Sequence, residues 1–67
     1  MYQIIGIERN EKRVIVATPA TALEAMTHYR AAQNLFRQVV VQSPEGAEID
    51  GFELSRRAYK EAETPYA

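Results

Sequence analysis

The sequence contains no cysteine and no tryptophan, one histidine, and three isolated glycines. Without cysteine there is no disulfide framework. A structural zinc site needs three or four protein ligands, and His28 has no second histidine or thiolate to complete one. Nucleophilic catalysis of the serine or cysteine type needs a base beside the nucleophile, and His28 falls on the polar side of a predicted helix, so no triad can be drawn. Gly6, Gly46 and Gly51 open no phosphate-cradling motif, which excludes the common nucleotide folds and leaves no cofactor to expect. Strong charge of one sign is also missing. The net charge of -1 gives no field that draws in nucleic acid or an anionic membrane. No run approaches the ~18 apolar residues of a membrane span, and the first residues lack the basic and then apolar pattern of a secretory leader. A cytoplasmic, non-enzymatic protein is the expectation.

What is present is a modest apolar set. Of the 67 residues 46% are hydrophobic, but ten are alanine, so the interior rests on few large side chains. A chain of this length is expected to form one domain, residues 1–67, burying only about 60% of its unfolded surface, so a partner chain would add stability. Charge is uneven along the sequence. Residues 1–40 hold five basic and three acidic groups, whereas residues 41–67 hold three basic and six acidic groups.

The hydrophobic period marks the elements. Residues 2–9 and 13–18 are rich in β-branched side chains (Ile4, Ile5, Ile7; Val14, Ile15, Val16) and flank a polar stretch, which predicts a β-hairpin. Thr21 with Glu24 three residues on has the form of a capping box, in which each side chain accepts a backbone N–H. In the helix that follows, Ala22, Leu23, Ala25, Met26, Tyr29 and Ala32 share one arc opposite Glu24, Thr27, His28 and Ala31. Asn34 suits a left-handed helix end, with Leu35 packing back on the last turn. Residues 36–42, carrying Val39, Val40 and Val41, predict a third strand, and Ser43-Pro44-Glu45-Gly46 predicts a turn into a short fourth strand at 47–49. Asp50 and Glu53 repeat the capping logic before a second amphipathic helix at 52–63. Its apolar arc reads as Ser55, Ala58, Tyr59 and Ala62 flanked by Phe52 and Leu54.

The order β-β-α-β-(β)-α predicts an α+β fold with a three- to four-stranded, mainly antiparallel sheet in spatial order 2-1-3-4. Each main strand carries large apolar residues on both sides, where a sheet with one solvated face would alternate. The first helix covers one face. The other is expected to be covered by the C-terminal helix or by a partner, most simply a second copy of the chain.

Other constellations read as ordinary surface. Glu24 and His28 form an i,i+4 pair without further ligands, and Glu45, Glu48 and Asp50 do not match a calcium loop, so no metal is expected. Two basic groups, Arg9, Lys12 and Arg13 at the hairpin and Arg56, Arg57 and Lys60 on the second helix, carry the alternative of a small nucleic-acid-binding regulator, although interleaved glutamates favour solvated ion pairs. Tyr29, Phe36, Phe52 and Tyr59 fall at inward positions, leaving Tyr2 and Tyr66 to join those six basic residues as candidates for an interaction surface. The succession of hairpin, alanine-rich helix, Val39-Val40-Val41 and Pro44-Glu45-Gly46 is similar to that of many small bacterial proteins of unknown function. The first 32 residues also resemble the hairpin-and-helix start of antitoxins of the HicB type, without the proline-glycine-cysteine segment between strand and helix. Neither resemblance implies a functional residue.

Overall fold

The computed structural model describes residues 1–63, so Tyr66 lies outside the described residues. Its elements are β1 (Gln3–Ile7), β2 (Arg13–Ala17), α1 (Ala22–Gln33), β3 (Gln38–Gln42), β4 (Glu48–Ile49) and α2 (Gly51–Glu63). The four strands form one sheet, antiparallel at every pairing, in the order β2-β1-β3-β4. The fold is α+β and the isoleucine-rich first strand is central, as the sequence predicts.

Both hairpins close through the same five-residue loop. In residues 8–12 the Glu11 N–H donates to the Glu8 carbonyl at 2.8 Å, and the Glu8 N–H donates to the Lys12 carbonyl at 3.0 Å. In residues 43–47 the same two bonds run from Gly46 to Ser43, 2.9 Å, and from Ser43 to Ala47, 2.7 Å. Such a loop puts its fourth residue in the left-handed region. There φ is 91° at Gly46 and 65° at Glu11. Glycine tolerates this freely, whereas a residue with a Cβ crowds the following carbonyl at a cost of roughly 1–2 kcal/mol. Glu11→Gly is therefore expected to stabilise the protein by up to about 1 kcal/mol, once the greater freedom of glycine in the unfolded chain is set against the relieved strain. Urea unfolding measures this, and a lowered midpoint would contradict the strain argument.

Register assigns the two faces of the sheet. Ile4 lies opposite Val41 and Gly6 opposite Val39, alternating with Ile5 opposite Val40 and Ile7 opposite Gln38. Ile4, Gly6, Val39 and Val41 thus share the inner face, and Ile5, Ile7 and Val40 the outer one. On β2 a bulge brings Ala17 opposite Ile4 and Ile15 opposite Ile5. The inner face meets both helices in one core of Tyr2, Ile4, Ala22, Ala25, Ala32, Val41, Leu54 and Ala58. Of the two expected covers for the second face, the C-terminal helix is thereby eliminated, because α2 packs beside α1 on the same side.

The helix starts explain that placement. Thr21 is extended and its hydroxyl accepts the Glu24 N–H at 3.2 Å. The return half of the capping box differs from the expectation, since the Glu24 carboxylate accepts from the Thr21 hydroxyl, 3.2 Å, rather than from a backbone amide. Two further amides of the first turn, those of Ala22 and Leu23, donate to the Glu61 carboxylate of α2 at 2.7 and 3.1 Å. An anion at a helix N-terminus is favoured by both the unpaired N–H groups and the helix dipole. At the other end of the pair, a Cβ on Gly51 would lie 2.9 Å from the Tyr29 hydroxyl. The two helices therefore run antiparallel. Asp50 caps α2 as expected, accepting the Glu53 N–H at 2.8 Å.

The end of α1 corrects the expectation for Asn34, which stays right-handed at φ -85° and ψ -13°. The Leu35 and Phe36 amides both donate to the Ala32 carbonyl, tightening the last turn, and Leu35 is exposed. Phe36 takes the packing role instead. Its ring lies on Gly6, where an added Cβ would sit 2.5 Å from the ring's Cγ, so the strand glycine marks close packing.

Candidate interaction surface

The outer face of the sheet carries Ile5 and Ile7 from β1, Ile15 from β2 and Val40 from β3, with no helix over them. Ile15 is 60% exposed at the sheet edge. Val40 is only 8% exposed, yet it does not belong to the core between sheet and helices. Glutamines Gln3, Gln38 and Gln42 border this apolar centre, and Arg13 and Glu48 stand on the two edge strands.

A second apolar exposure lies along the seam of α1 and α2, lined by Leu23, Met26, Tyr59 and Ala62 with Ser55 and Ala58 between the helices. Here the structure corrects the helical-wheel expectation. The buried side of α2 is Leu54 and Ala58, whereas Phe52 is 89% and Tyr59 67% exposed. On α1 the buried stripe is Ala22, Ala25 and Ala32, with Met26 and Tyr29 half-buried at its border and Leu23 exposed. Tyr2, expected as a surface aromatic, is buried at 6% and belongs to the core.

The candidate basic residues separate into two groups at opposite ends of the sheet. Arg9 and Lys12 are exposed in the loop after β1, with Arg13 opposite Ile7. Arg57 sits at the other end, meeting the Tyr2 hydroxyl just before β1 and the Glu45 carboxylate at 3.2 Å. At about 3.3 Å per residue, the length of β1 keeps the groups roughly 20 Å apart. The helix group is also partly neutralised. Glu53 accepts from Arg56 at 2.7 Å and from Arg57 at 2.9 Å. Hydrogen bonds from Arg57 and then Arg56 hold the Glu53 carboxyl below its ordinary range, the Ser43 hydroxyl and then Arg57 do the same for Glu45, and Glu53 is the main cause of an upward shift at Arg57. Lys60 follows on the exposed side of α2, and His28 is exposed on α1.

Among the described residues no three His, Cys, Asp or Glu side chains converge in a way that would hold a metal ion, and no helix is long and apolar enough to cross a membrane. The outer sheet face was legible in the strand composition, because two-sided apolar strands imply two covers. The exposed aromatics of α2 were not, because their direction is set by where Glu61 and Leu54 dock. No known protein family, curated protein or solved structure matches this chain.

Proposed function

We propose that the protein is a non-enzymatic interaction module that associates with a second copy of itself through the outer face of its sheet. One observation carries this reading. Ile5, Ile7, Ile15 and Val40 gather on the side of the sheet that neither helix covers. Ile15 is the largely exposed member of the group, and fully burying an exposed side chain of this kind is worth about 1.5–3 kcal/mol, while contiguous apolar patches on soluble proteins usually mark contact sites. A self-complementary patch is the usual basis of a two-fold dimer. The nucleic-acid reading has less behind it, since its two basic groups lie at opposite ends of the sheet and one is engaged by Glu45 and Glu53.

Ile15→Lys tests the reading. The residue is largely exposed in the single chain, so the change is expected to alter the stability of the dilute monomer by no more than about 0.5 kcal/mol. In sedimentation equilibrium the wild type is expected to show a concentration-dependent dimer, and the variant to dissociate at least about tenfold more readily, since a buried ammonium replaces an apolar contact. A wild type that stays monomeric at high concentration, or a dimer indifferent to Ile15→Lys, contradicts it.

A further inference from the structure

The strand residues that register turns outward include one cation and one anion. Arg13 stands on β2 level with Ile7 and Gln38, and Glu48 stands on β4 level with Gln42 and Gln3. They occupy diagonally opposite corners of the face, and neither side chain forms an ion pair or hydrogen bond among the described residues. Three strand spacings of about 4.8 Å make the face roughly 14 Å wide, and four residues of β1 at about 3.3 Å make it roughly 13 Å tall. It is nearly square.

We infer that two copies pack these faces together about a two-fold axis along the other diagonal, with Arg13 of each copy over Glu48 of its mate. The inference rests on the proposed self-association and specifies its geometry. A two-fold axis parallel to the strands carries Arg13 over the part of the mate's edge beyond Gln38, where β4 provides no residue, and carries Glu48 over the Ala17 end of β2. An axis across the strands sets Arg13 against the Ala17 end and leaves Glu48 without an opposite charge. An axis along the Arg13–Glu48 diagonal sets like against like. Only the remaining diagonal pairs both charges, and it does so twice. It also stacks Ile5 and Val40 of both copies at the centre. Because the face is square, this axis turns one sheet roughly 90° to the other, which is one of the two established ways in which sheets pack.

The test is a charge-reversal cycle by sedimentation equilibrium, with Arg13→Glu, Glu48→Arg and the double variant. Both positions are exposed in the single chain, and circular dichroism verifies that each variant is folded. Either single reversal turns two attractive corners into two repulsive ones and is expected to raise the dimer dissociation constant roughly tenfold, an effect that shrinks in high salt. The double variant restores opposite charges at both corners and is expected to return near the wild-type value. A dimer that Ile15→Lys disrupts but whose double reversal is no tighter than the singles overturns the diagonal geometry and leaves the proposed function standing. A wild type without any dimer overturns both. A dimer lost on Tyr59→Lys but not on Ile15→Lys moves the interface to the helix seam and overturns both as well.

Discussion

Ile4→Ala is expected to lower the unfolding free energy by about 2–5 kcal/mol, the range for a fully buried aliphatic side chain whose removal leaves a cavity. Ile4 has no exposed surface and lies at the middle of the inner face, between Ala17 and Val41 in register and beneath both helices. Small domains hold total stabilities toward the low end of 5–15 kcal/mol, so this one truncation leaves a large fraction unfolded at physiological temperature. The matched comparison is Ile15→Ala. It removes the same atoms from a strand of the same sheet, but from the outer face, and in dilute solution it is expected to cost well under half as much. Thermal melts of the two variants at concentrations where the monomer dominates decide the matter. Equal losses would mean that the faces have been assigned the wrong way round.

The second large effect is expected at Gly6. An alanine there would place its Cβ 2.5–2.6 Å from three atoms of the Phe36 ring, and the near atoms belong to the root of the ring rather than to a flexible tip. In a strand without such a neighbour, replacing glycine by alanine would reduce unfolded-state freedom and help by about 0.4–1 kcal/mol. Here the ring must leave its seat, and a net loss of about 1–3 kcal/mol is expected, as for other overpacked cores. Phe36→Ala in the same chain removes all three of those atoms and makes room. The double variant is therefore expected to lose less than the sum of the two single variants, and additive losses would show that ring and glycine do not confront each other.

The sequence carries the elements and even the strand order, because each rests on local chemistry: β-branched runs for β1 to β3, Thr21 and Asp50 for the helix starts, Pro44 and Gly46 for the second turn. The loop at residues 8–12 was less legible, since Glu11 adopts a backbone conformation that its side chain disfavours, and its twin at 43–47 advertises the same geometry through glycine. Which way α2 faces could not be read from its wheel. An arc of Ser55, Ala58, Tyr59 and Ala62 is weakly apolar and broad, and rotating the helix toward Leu54 buries less aromatic surface but seats Glu61 on the amides of Ala22 and Leu23. That contact joins residues 39 positions apart and leaves no local signature. The burial of Tyr2 leaves no local signature for a similar reason, because Arg57, which meets its hydroxyl, lies on α2. The outer sheet face was foreseeable as a surface in need of cover. The diagonal placement of Arg13 and Glu48 became visible only once register had fixed the corners.

The carboxylate of Glu61 on the first turn of α1 also bears on how the chain matures during synthesis. A polypeptide emerges from its N-terminus at about 5–20 residues per second, so roughly 2–8 s separate the appearance of Ala22 from that of Glu61. Throughout that interval the amides of Ala22 and Leu23 lack the Glu61 carboxylate. The contact that seats the end of α2 on the start of α1 therefore forms only after Glu61 has been made.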